Sequence, residues 1–292
     1  MFRLLGGNSF RLQVTPLARD TASFQARNGD LTLHGETEGD GPAVVLLHGL
    51  SATRRYVLHG SHALPRAGFW TVAYDARGHG ESDTPPNPAA YEYSDLVADL
   101  RAVLDGLEIE RAAFAGVSMG AHTALRFALE EPGRVTALVL ITPAYMGHPH
   151  RDLESWRALA DGLERDGVDG FLSVWGASDV APRWRKAALE NARQRLERHR
   201  HLDAVAAALR VVPASVAFDG LDALEAIEAP ALVVGSRDQA DPTHRLAVSE
   251  AYAERLPRGE LLVEDEGKSP IAWQGAGLSK AIAEFLEEGA PP

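Results

Sequence analysis

The stretch RAAFAGVSMGAH, residues 111–122, carries the pattern that decides the fold. An apolar run at residues 112–115 leads into Gly116-Val117-Ser118-Met119-Gly120, which has the form G-x-S-x-G, and a helix-compatible segment follows at residues 121–131. A strand that passes through a tight glycine-flanked turn into a helix is the setting of a nucleophile elbow. Glycine is required on both sides because a Cβ atom would clash where strand and helix approach. The pattern therefore predicts that Ser118 is a nucleophile held in a strained backbone conformation.

The amino-acid composition and the net charge exclude several classes of partner and chemistry. The 292 residues are 45% hydrophobic and 24% charged, which is ordinary for a globular chain. The net charge of −12 argues against a nucleic-acid or anionic-membrane partner, because such partners need clustered Lys and Arg. Cysteine is absent, so disulfides and thiol catalysis are excluded. The chain shows neither a secretory signal nor a run of roughly 18 apolar residues, so we expect a cytoplasmic protein.

Strand-like and helix-like segments alternate on either side of a strand-free middle. Continuous apolar runs predict buried strands at residues 43–47, 70–74, 135–141, 231–235 and 260–264. Amphipathic spacing predicts helices over residues 91–107, 243–256 and 277–287 in the same two regions. Strands alternating with helices imply βαβ crossovers and a parallel sheet.

The predicted fold class is therefore α/β, with a mostly parallel sheet of eight strands flanked by helices. The core domain is predicted to comprise residues 1–143 and 229–292, and a helical cap residues 144–228. Asn28-Gly29 predicts a hairpin between residues 23–27 and 31–36. Alternating apolar residues at 10–14 suggest a further edge strand.

Three motifs together resemble the α/β-hydrolase superfamily. They are His48-Gly49-Leu50, the segment DARGHGES at residues 75–82, and the G-x-S-x-G pattern around Ser118, in the family's order and spacing. The chain looks most like the capped esterases, enol-lactonases, carbon–carbon hydrolases and cofactor-free haloperoxidases. The resemblance implies that Ser118 is the nucleophile and that the backbone N–H groups of Leu50 and Met119 form an oxyanion hole. Two preorganised donors of this kind stabilise the developing negative charge by several kcal/mol.

The resemblance also implies positions for the other members of a catalytic triad. Asp238 follows the strand at residues 231–235, where the family places its acid, and Asp241 is its rival. We interpret His48 as the residue that fixes the loop carrying Leu50. Asp75, Arg77 and His79 are likewise interpreted as loop architecture rather than as catalytic groups.

The triad base departs from the family pattern. The family reads acidic-Gly-His after its last strand, whereas this chain reads Glu266-Gly267-Lys268-Ser269-Pro270. A free lysine has a pKa of about 10.4, so very little neutral amine is present at pH 7. With a carboxylate at hand, we expect an ion pair between Lys268 and Asp238 unless Asp238 turns away.

Four explanations for Lys268 stay open at the sequence level. Lys268 has a new role; Lys268 is the base with Asp238 displaced; another histidine, His244 or His122, substitutes; or the protein binds ligands without turnover. Ser–Lys dyads exist and depend on desolvation of the lysine.

The sequence predicts a serine hydrolase that acts on a carboxylic ester, lactone or thioester through an acyl-Ser118 intermediate. A ligand-binding homologue without turnover and an acyltransferase or perhydrolase are the alternatives. The catalytic residues are predicted to be Ser118, Asp238 and Lys268. No motif indicates a metal, nucleotide or flavin cofactor. The aromatic residues of the cap suggest a small, largely apolar acyl substrate; they are Trp156, Phe171, Trp175 and Trp184.

Overall fold

The computed structural model describes residues 21–289, and in them an eight-stranded sheet forms the centre of the molecule. The strand order is β1-β2-β4-β3-β5-β6-β7-β8. The strands are β1 Ala22–Asn28, β2 Leu31–Glu38, β3 Ala43–Leu47, β4 Trp70–Tyr74, β5 Ala112–Val117, β6 Val135–Ile141, β7 Ala231–Gly235 and β8 Gly259–Val263. β1 pairs antiparallel with β2, and β2 antiparallel with β4, whereas the remaining pairs are parallel. The predicted fold class is confirmed, and the suggested strand at residues 10–14 lies outside the described residues.

Helices cover both faces of the sheet, which explains the unbroken apolar runs of its central strands. The helices are α1 Ala63–Arg66, α2 Tyr93–Gly106, α3 Met119–Glu130, α4 Leu153–Trp175, α5 Pro182–Leu196, α6 Leu202–Val211, α7 Leu246–Arg255 and α8 Gly275–Gly289. In β3, Val45 and Leu47 belong to the apolar layer that also contains residues of α2, α3 and α7, while Val44 and Leu46 belong to the layer that contains residues of α1 and α8. Every residue of such a strand faces a hydrophobic layer, so the run cannot alternate with polar residues.

Helices α4, α5 and α6 lie between β6 and β7, within the segment predicted as the cap. α4 and α6 share an apolar cluster that includes Leu163, Phe171 and Leu209. α4 is interrupted at Asp166 and Gly167, where Gly167 has φ 63 and ψ −145, a conformation that only glycine adopts without strain. The sequence pattern at residues 151–164 is helical and predicts the first half of α4, but the second half is not predicted. We keep the name cap for residues 144–228.

Candidate active site

Ser118 occupies the sharp turn between β5 and α3. Its φ of 48° and ψ of −110° are strained for a residue with a side chain. The turn is held by a hydrogen bond of 2.9 Å from the Ser118 N–H to the Ile141 carbonyl in β6. A Cβ atom on Gly116 would lie 2.3 Å from the Gly120 carbonyl carbon, and one on Gly120 would lie 2.2 Å from the Leu47 carbonyl oxygen. Both glycines of the motif are therefore sterically required.

The two predicted oxyanion donors lie beside Ser118. Met119 is the first residue of α3, so its N–H belongs to the unpaired first turn of that helix. Leu50 follows β3 in a loop that passes next to the elbow, since a Cβ atom on Gly49 would lie 3.6 Å from the Ser118 Cβ. Leu50, Ser118 and Met119 line one cavity.

This cavity has a volume of about 450 Å³ and lies between the sheet and the cap. Its walls are largely apolar and include Tyr145, Met146, Trp156 and Val212. Its polar lining comes mainly from the exposed chain at residues 148–152 and from Tyr93 and His122. Of the four cap aromatics singled out in the sequence, Trp156 lines this cavity. Phe171 packs inside the cap, and Trp184 packs edge-on against Trp273 at 6.2 Å.

His48 fixes the loop that carries Leu50. Its Nε2 accepts a hydrogen bond from the Ala76 N–H at 2.9 Å, so its Nδ1–H donates to the Gly49 carbonyl at 2.9 Å. Burial lowers the pKa of His48 to about 4, which keeps the imidazole neutral. The interpretation of His48 as a structural residue agrees with this geometry.

The loop after β4 is held by two buried charge pairs. Asp75 accepts the Arg54 N–H at 2.8 Å and also contacts the Arg54 guanidinium. Arg77 binds Asp99 of α2 through two hydrogen bonds of 2.6 and 2.7 Å. Both residues of the loop hold the chain in place, as the sequence interpretation requires.

Asp238 and Asp241 have different environments. Asp238 is exposed, and its Oδ1 accepts the Leu246 N–H at 2.7 Å at the start of α7. Asp241 is largely buried and accepts hydrogen bonds from His244 and from the Thr243 hydroxyl at 2.8 Å. Burial alone would raise the pKa of Asp241, but the His244 imidazole and these hydrogen bonds outweigh it and hold the pKa below its ordinary value.

Lys268 is exposed and lines a different concavity from Ser118. That surface depression, of about 480 Å³, is formed by the loop after β8 and includes Glu264, Asp265 and Gln274. Between the described residues there is no ion pair joining Lys268 to Asp238, so the expected pair is wrong. The Asp238 carboxylate instead caps the first turn of α7, whose free N–H groups favour a negative charge. The catalytic roles predicted for Asp238 and Lys268 stay predictions.

His122 is fully engaged by its neighbours. Its Nε2 accepts hydrogen bonds from the N–H groups of Ala144 at 3.1 Å and Tyr145 at 3.2 Å. Its Nδ1–H therefore donates to the Tyr93 hydroxyl at 2.9 Å. Burial lowers the pKa of His122 to about 3. Both ring nitrogens are occupied, which argues against His122 as the substitute base.

The overall fold agrees with comparisons to known proteins. The family described as alpha/beta hydrolase fold matches residues 42–181. A protein of Agrobacterium fabrum named as a carbamate hydrolase, RutD, is 30% identical over 82% of this chain and 90% of its own length. The chain belongs to the α/β-hydrolase superfamily.

Other relatives of this α/β-hydrolase differ in the share of their length that is matched. A Bacillus subtilis protein named as 2-succinyl-6-hydroxy-2,4-cyclohexadiene-1-carboxylate synthase is 35% identical, but the match spans 46% of this chain and only 49% of that protein. Among solved structures, an esterase from Thermogutta terrifontis has a TM-score of 0.77 and 25% identity over 93% of this chain and 100% of its own. The enol-lactonase from Burkholderia xenovorans has a TM-score of 0.76 at 22% identity, over 90% of this chain and 99% of its own, which shows the shared fold.

Two other kinds of feature are absent from the described part of the α/β-hydrolase. Residues 21–289 bring together no group of three or more His, Asp or Glu side chains able to hold a metal ion. Over the same residues, none of the helices is both long and apolar enough to cross a membrane.

Proposed function

We propose that this α/β-hydrolase is a serine hydrolase that cleaves a carboxylic ester, lactone or thioester through an acyl-Ser118 intermediate. The observation that carries the proposal is that Ser118, at its strained turn, opens with Leu50 and Met119 onto one largely apolar cavity. Carbamates belong to the same acyl class, in line with the name of the Agrobacterium relative. The cavity volume of about 450 Å³ and the Trp156 wall favour a small, largely apolar acyl group.

The proposed reaction follows from the positions of these groups. The Ser118 Oγ attacks the acyl carbon and gives its proton to a base, and the carbonyl oxygen becomes an oxyanion. The N–H groups of Leu50 and Met119 stabilise that charge, and a single donor of this kind is worth about 10²–10³ in rate. The leaving group then takes up the proton and departs, and water hydrolyses the acyl-serine by the same steps.

Two pairs of residues are candidates for the base and the acid that orients it. Asp238 and Lys268 are the predicted acid and base, and their use requires the Lys268 amine to turn from the surface depression towards Ser118. The His244–Asp241 pair is the second candidate, because Asp241 orients the imidazole through Nδ1 and leaves Nε2 available. This is the arrangement that a carboxylate gives to a general base.

A ligand-binding protein without turnover is the second candidate function. The observation that favours it is that, among the described residues lining the Ser118 cavity, the buried His122 already uses both ring nitrogens. An acyltransferase or perhydrolase would use the same elbow with another acceptor in place of water.

The test combines turnover with covalent labelling. Wild type should hydrolyse short p-nitrophenyl esters and react with a fluorophosphonate probe, whereas Ser118→Ala should do neither. Labelling that persists in Ser118→Ala would exclude Ser118 as the nucleophile. Absence of both hydrolysis and labelling in the wild type would favour the ligand-binding function.

A further inference from the structure

Two tyrosines line the Ser118 cavity, and their hydroxyl groups are engaged differently. The Tyr145 O–H donates to the Phe218 carbonyl at 3.1 Å, so its hydrogen is used within the protein. In the described part of the chain, the Tyr93 hydroxyl has one hydrogen-bond neighbour, the His122 Nδ1 atom at 2.9 Å. The direction of that hydrogen bond decides whether Tyr93 has a hydrogen to offer to a ligand.

The backbone around His122 fixes the direction of this hydrogen bond. The N–H groups of Ala144 and Tyr145 both donate to Nε2, at 3.1 and 3.2 Å, and a ring nitrogen that accepts hydrogen bonds carries no proton. Burial lowers the pKa of His122 to about 3, so the ring is neutral near pH 7 and its single proton lies on Nδ1. His122 is therefore the donor, and the Tyr93 oxygen is the acceptor.

The hydroxyl hydrogen of Tyr93 is consequently left without an acceptor among residues 21–289. Burial raises the pKa of the Tyr93 phenol, so this hydrogen stays on the oxygen near pH 7. Tyr93 is only 3% exposed, and it lines a cavity whose walls are largely apolar. A buried donor without an acceptor is unfavourable. A ligand that displaces solvent from this part of the cavity must therefore supply an acceptor or leave the donor unpaired.

The Tyr93 hydroxyl is held one helical turn from the nucleophile. His122 is four residues after Ser118, and its backbone N–H donates to the Ser118 carbonyl at 3.1 Å. Four residues of α-helix rise about 6 Å along the axis. The Tyr93 hydroxyl contacts the His122 side chain, and all three residues line the same cavity. One small substrate can therefore place its acyl carbon at Ser118 and another atom, several bonds away, at Tyr93.

Packing holds the Tyr93 side chain in this position. Its ring lies edge-on to the His122 ring at 5.8 Å and to the Tyr145 ring at 6.2 Å, measured between centroids. Tyr93 is also the first residue of α2, whose start is capped by a hydrogen bond of 3.0 Å from the Glu92 N–H to Asp95. A donor that is fixed before binding loses little conformational freedom when a ligand arrives. The cavity thus contains a rigid, neutral hydrogen-bond donor.

We propose that Tyr93 determines specificity by donating its O–H to a neutral oxygen acceptor of the substrate, such as a second carbonyl group. This inference rests on the proposed function, and it narrows the substrate to esters, lactones or thioesters that carry such an oxygen. Tyr93 and His122 are both uncharged, so a carboxylate would lose its hydration there for a single neutral hydrogen bond. The charged residues of the lining, Arg151 and Asp152, belong instead to the exposed segment at residues 148–152. His122 is the residue that positions the Tyr93 hydroxyl.

The first test compares p-nitrophenyl 4-oxopentanoate with p-nitrophenyl 4-methylpentanoate, in which a methyl group replaces the ketone oxygen. The ratio of their kcat/KM values should be about 2- to 10-fold higher in wild type than in Tyr93→Phe, the range for one neutral hydrogen bond. Tyr93→Phe should also hydrolyse the 4-methyl ester faster than wild type does, because no unpaired hydroxyl remains in the cavity. An unchanged ratio would overturn the proposal.

Tyr145→Phe is the matched control for this comparison. It removes the same atom from a tyrosine of the same cavity, but the Tyr145 hydrogen is already donated to the Phe218 carbonyl. The ratio of the two esters should therefore stay at the wild-type value. An equal fall of the ratio in Tyr145→Phe and Tyr93→Phe would overturn the assignment to Tyr93.

The second test measures binding without turnover, by calorimetry on Ser118→Ala. The Kd ratio of methyl 4-methylpentanoate to methyl 4-oxopentanoate should fall when Tyr93→Phe is added to this variant. If the Kd ratio depends on Tyr93 but wild type hydrolyses no ester, the Tyr93 site is supported and the proposed function is refuted. Ester hydrolysis with ratios that do not depend on Tyr93 would refute the Tyr93 site and support the proposed function. Tighter binding of monomethyl succinate, lost in Tyr93→Phe, would overturn the assignment to a neutral acceptor.

Discussion

The Nδ1 atom of His244 lies 2.9 Å from both carboxylate oxygens of Asp241. The predicted acid Asp238, three residues earlier, instead caps α7. The loop after β7 therefore contains an oriented imidazole on a buried carboxylate, while the position of the family's histidine carries the exposed Lys268. This arrangement makes the base of the proposed hydrolase directly testable.

Replacement of Lys268 by histidine should raise ester hydrolysis. Histidine titrates near neutral pH and can both remove and return the Ser118 proton, whereas an exposed ammonium cannot accept it. We expect Lys268→His to increase kcat by about 10²–10⁴, the range of general acid–base catalysis, with Lys268→Ala giving no gain. A large loss of activity in Lys268→Ala would instead identify Lys268 as a base already in use.

Substitution of His244 should show which of the two candidate bases serves Ser118. If the His244–Asp241 pair serves Ser118, His244→Gln should lower kcat by about 10²-fold or more and change the pH–rate profile. The comparison is Asp238→Asn, which removes the acid of the other candidate pair and alters the α7 cap but leaves the Asp241 pair intact. If both substitutions have equally small effects on kcat, His244 stabilises the local turn that contains Asp241 and does not act as the base.

The elbow should not tolerate a side chain at Gly120. Because a Cβ atom there would lie 2.2 Å from the Leu47 carbonyl oxygen, Gly120→Ala must displace α3 from β3. We expect a loss of about 1–3 kcal/mol or more in the free energy of unfolding, together with loss of activity. Gly133→Ala is the control, since nothing lies within 4 Å of a Cβ at that position. A chemical denaturation series of both variants checks the difference, and equal stabilities would contradict it.

Trp156 should set the preference for acyl chain length. Its ring lines the Ser118 cavity, so Trp156→Ala enlarges the space available to the acyl group. The kcat/KM ratio of hexanoate to acetate esters should rise, whereas Trp175→Ala should leave the ratio unchanged, since Trp175 packs against the cap's own apolar clusters. Equal shifts in both variants would point to a general loosening of the cap.

Acid should destabilise the fold through its buried histidines. Burial lowers the pKa to about 4 for His48 and about 3 for His79, His122 and His199, against about 6.5 in the unfolded chain. The unfolded state therefore binds more protons between these values. Stability is complete above pH 6.5 and falls as the pH drops towards 3, by up to about 1.4 kcal/mol per pH unit for each group. Unfolding by urea at pH 7 and pH 5 should show the decrease, and His79→Asn should make the dependence shallower.

The sequence alone predicts those parts of the fold in which the local residue pattern and the burial of the segment agree. The G-x-S-x-G elbow is confirmed as a strand–turn–helix because its glycines meet Leu47 and each other across a short distance. The strand at β3 could be predicted because both faces of the sheet are covered. The second half of α4 could not, since it depends on Gly167 turning the chain so that two helical halves pack together.

The remainder of the candidate site depends on contacts between distant residues. Tyr93 and His122 are 29 positions apart and meet only when α2 and α3 pack. The expected ion pair between Lys268 and Asp238 is wrong for the same reason. The sequence shows opposite charges at the two motif positions, but it does not show that the Asp238 carboxylate accepts a hydrogen bond from the N–H group at the start of α7.

The two hydrogen bonds that His122 accepts from Ala144 and Tyr145 have a consequence for movement of the cap. They fasten the chain leaving β6 to the helix that starts beside Ser118, so the first two residues of the cap cannot swing away without breaking them. Any opening of the cap would have to pivot beyond Tyr145, where the exposed segment at residues 148–152 contributes to the lining of the Ser118 cavity. The turn that holds Ser118 is therefore anchored on the cap side by the same imidazole that contacts α2 through Tyr93.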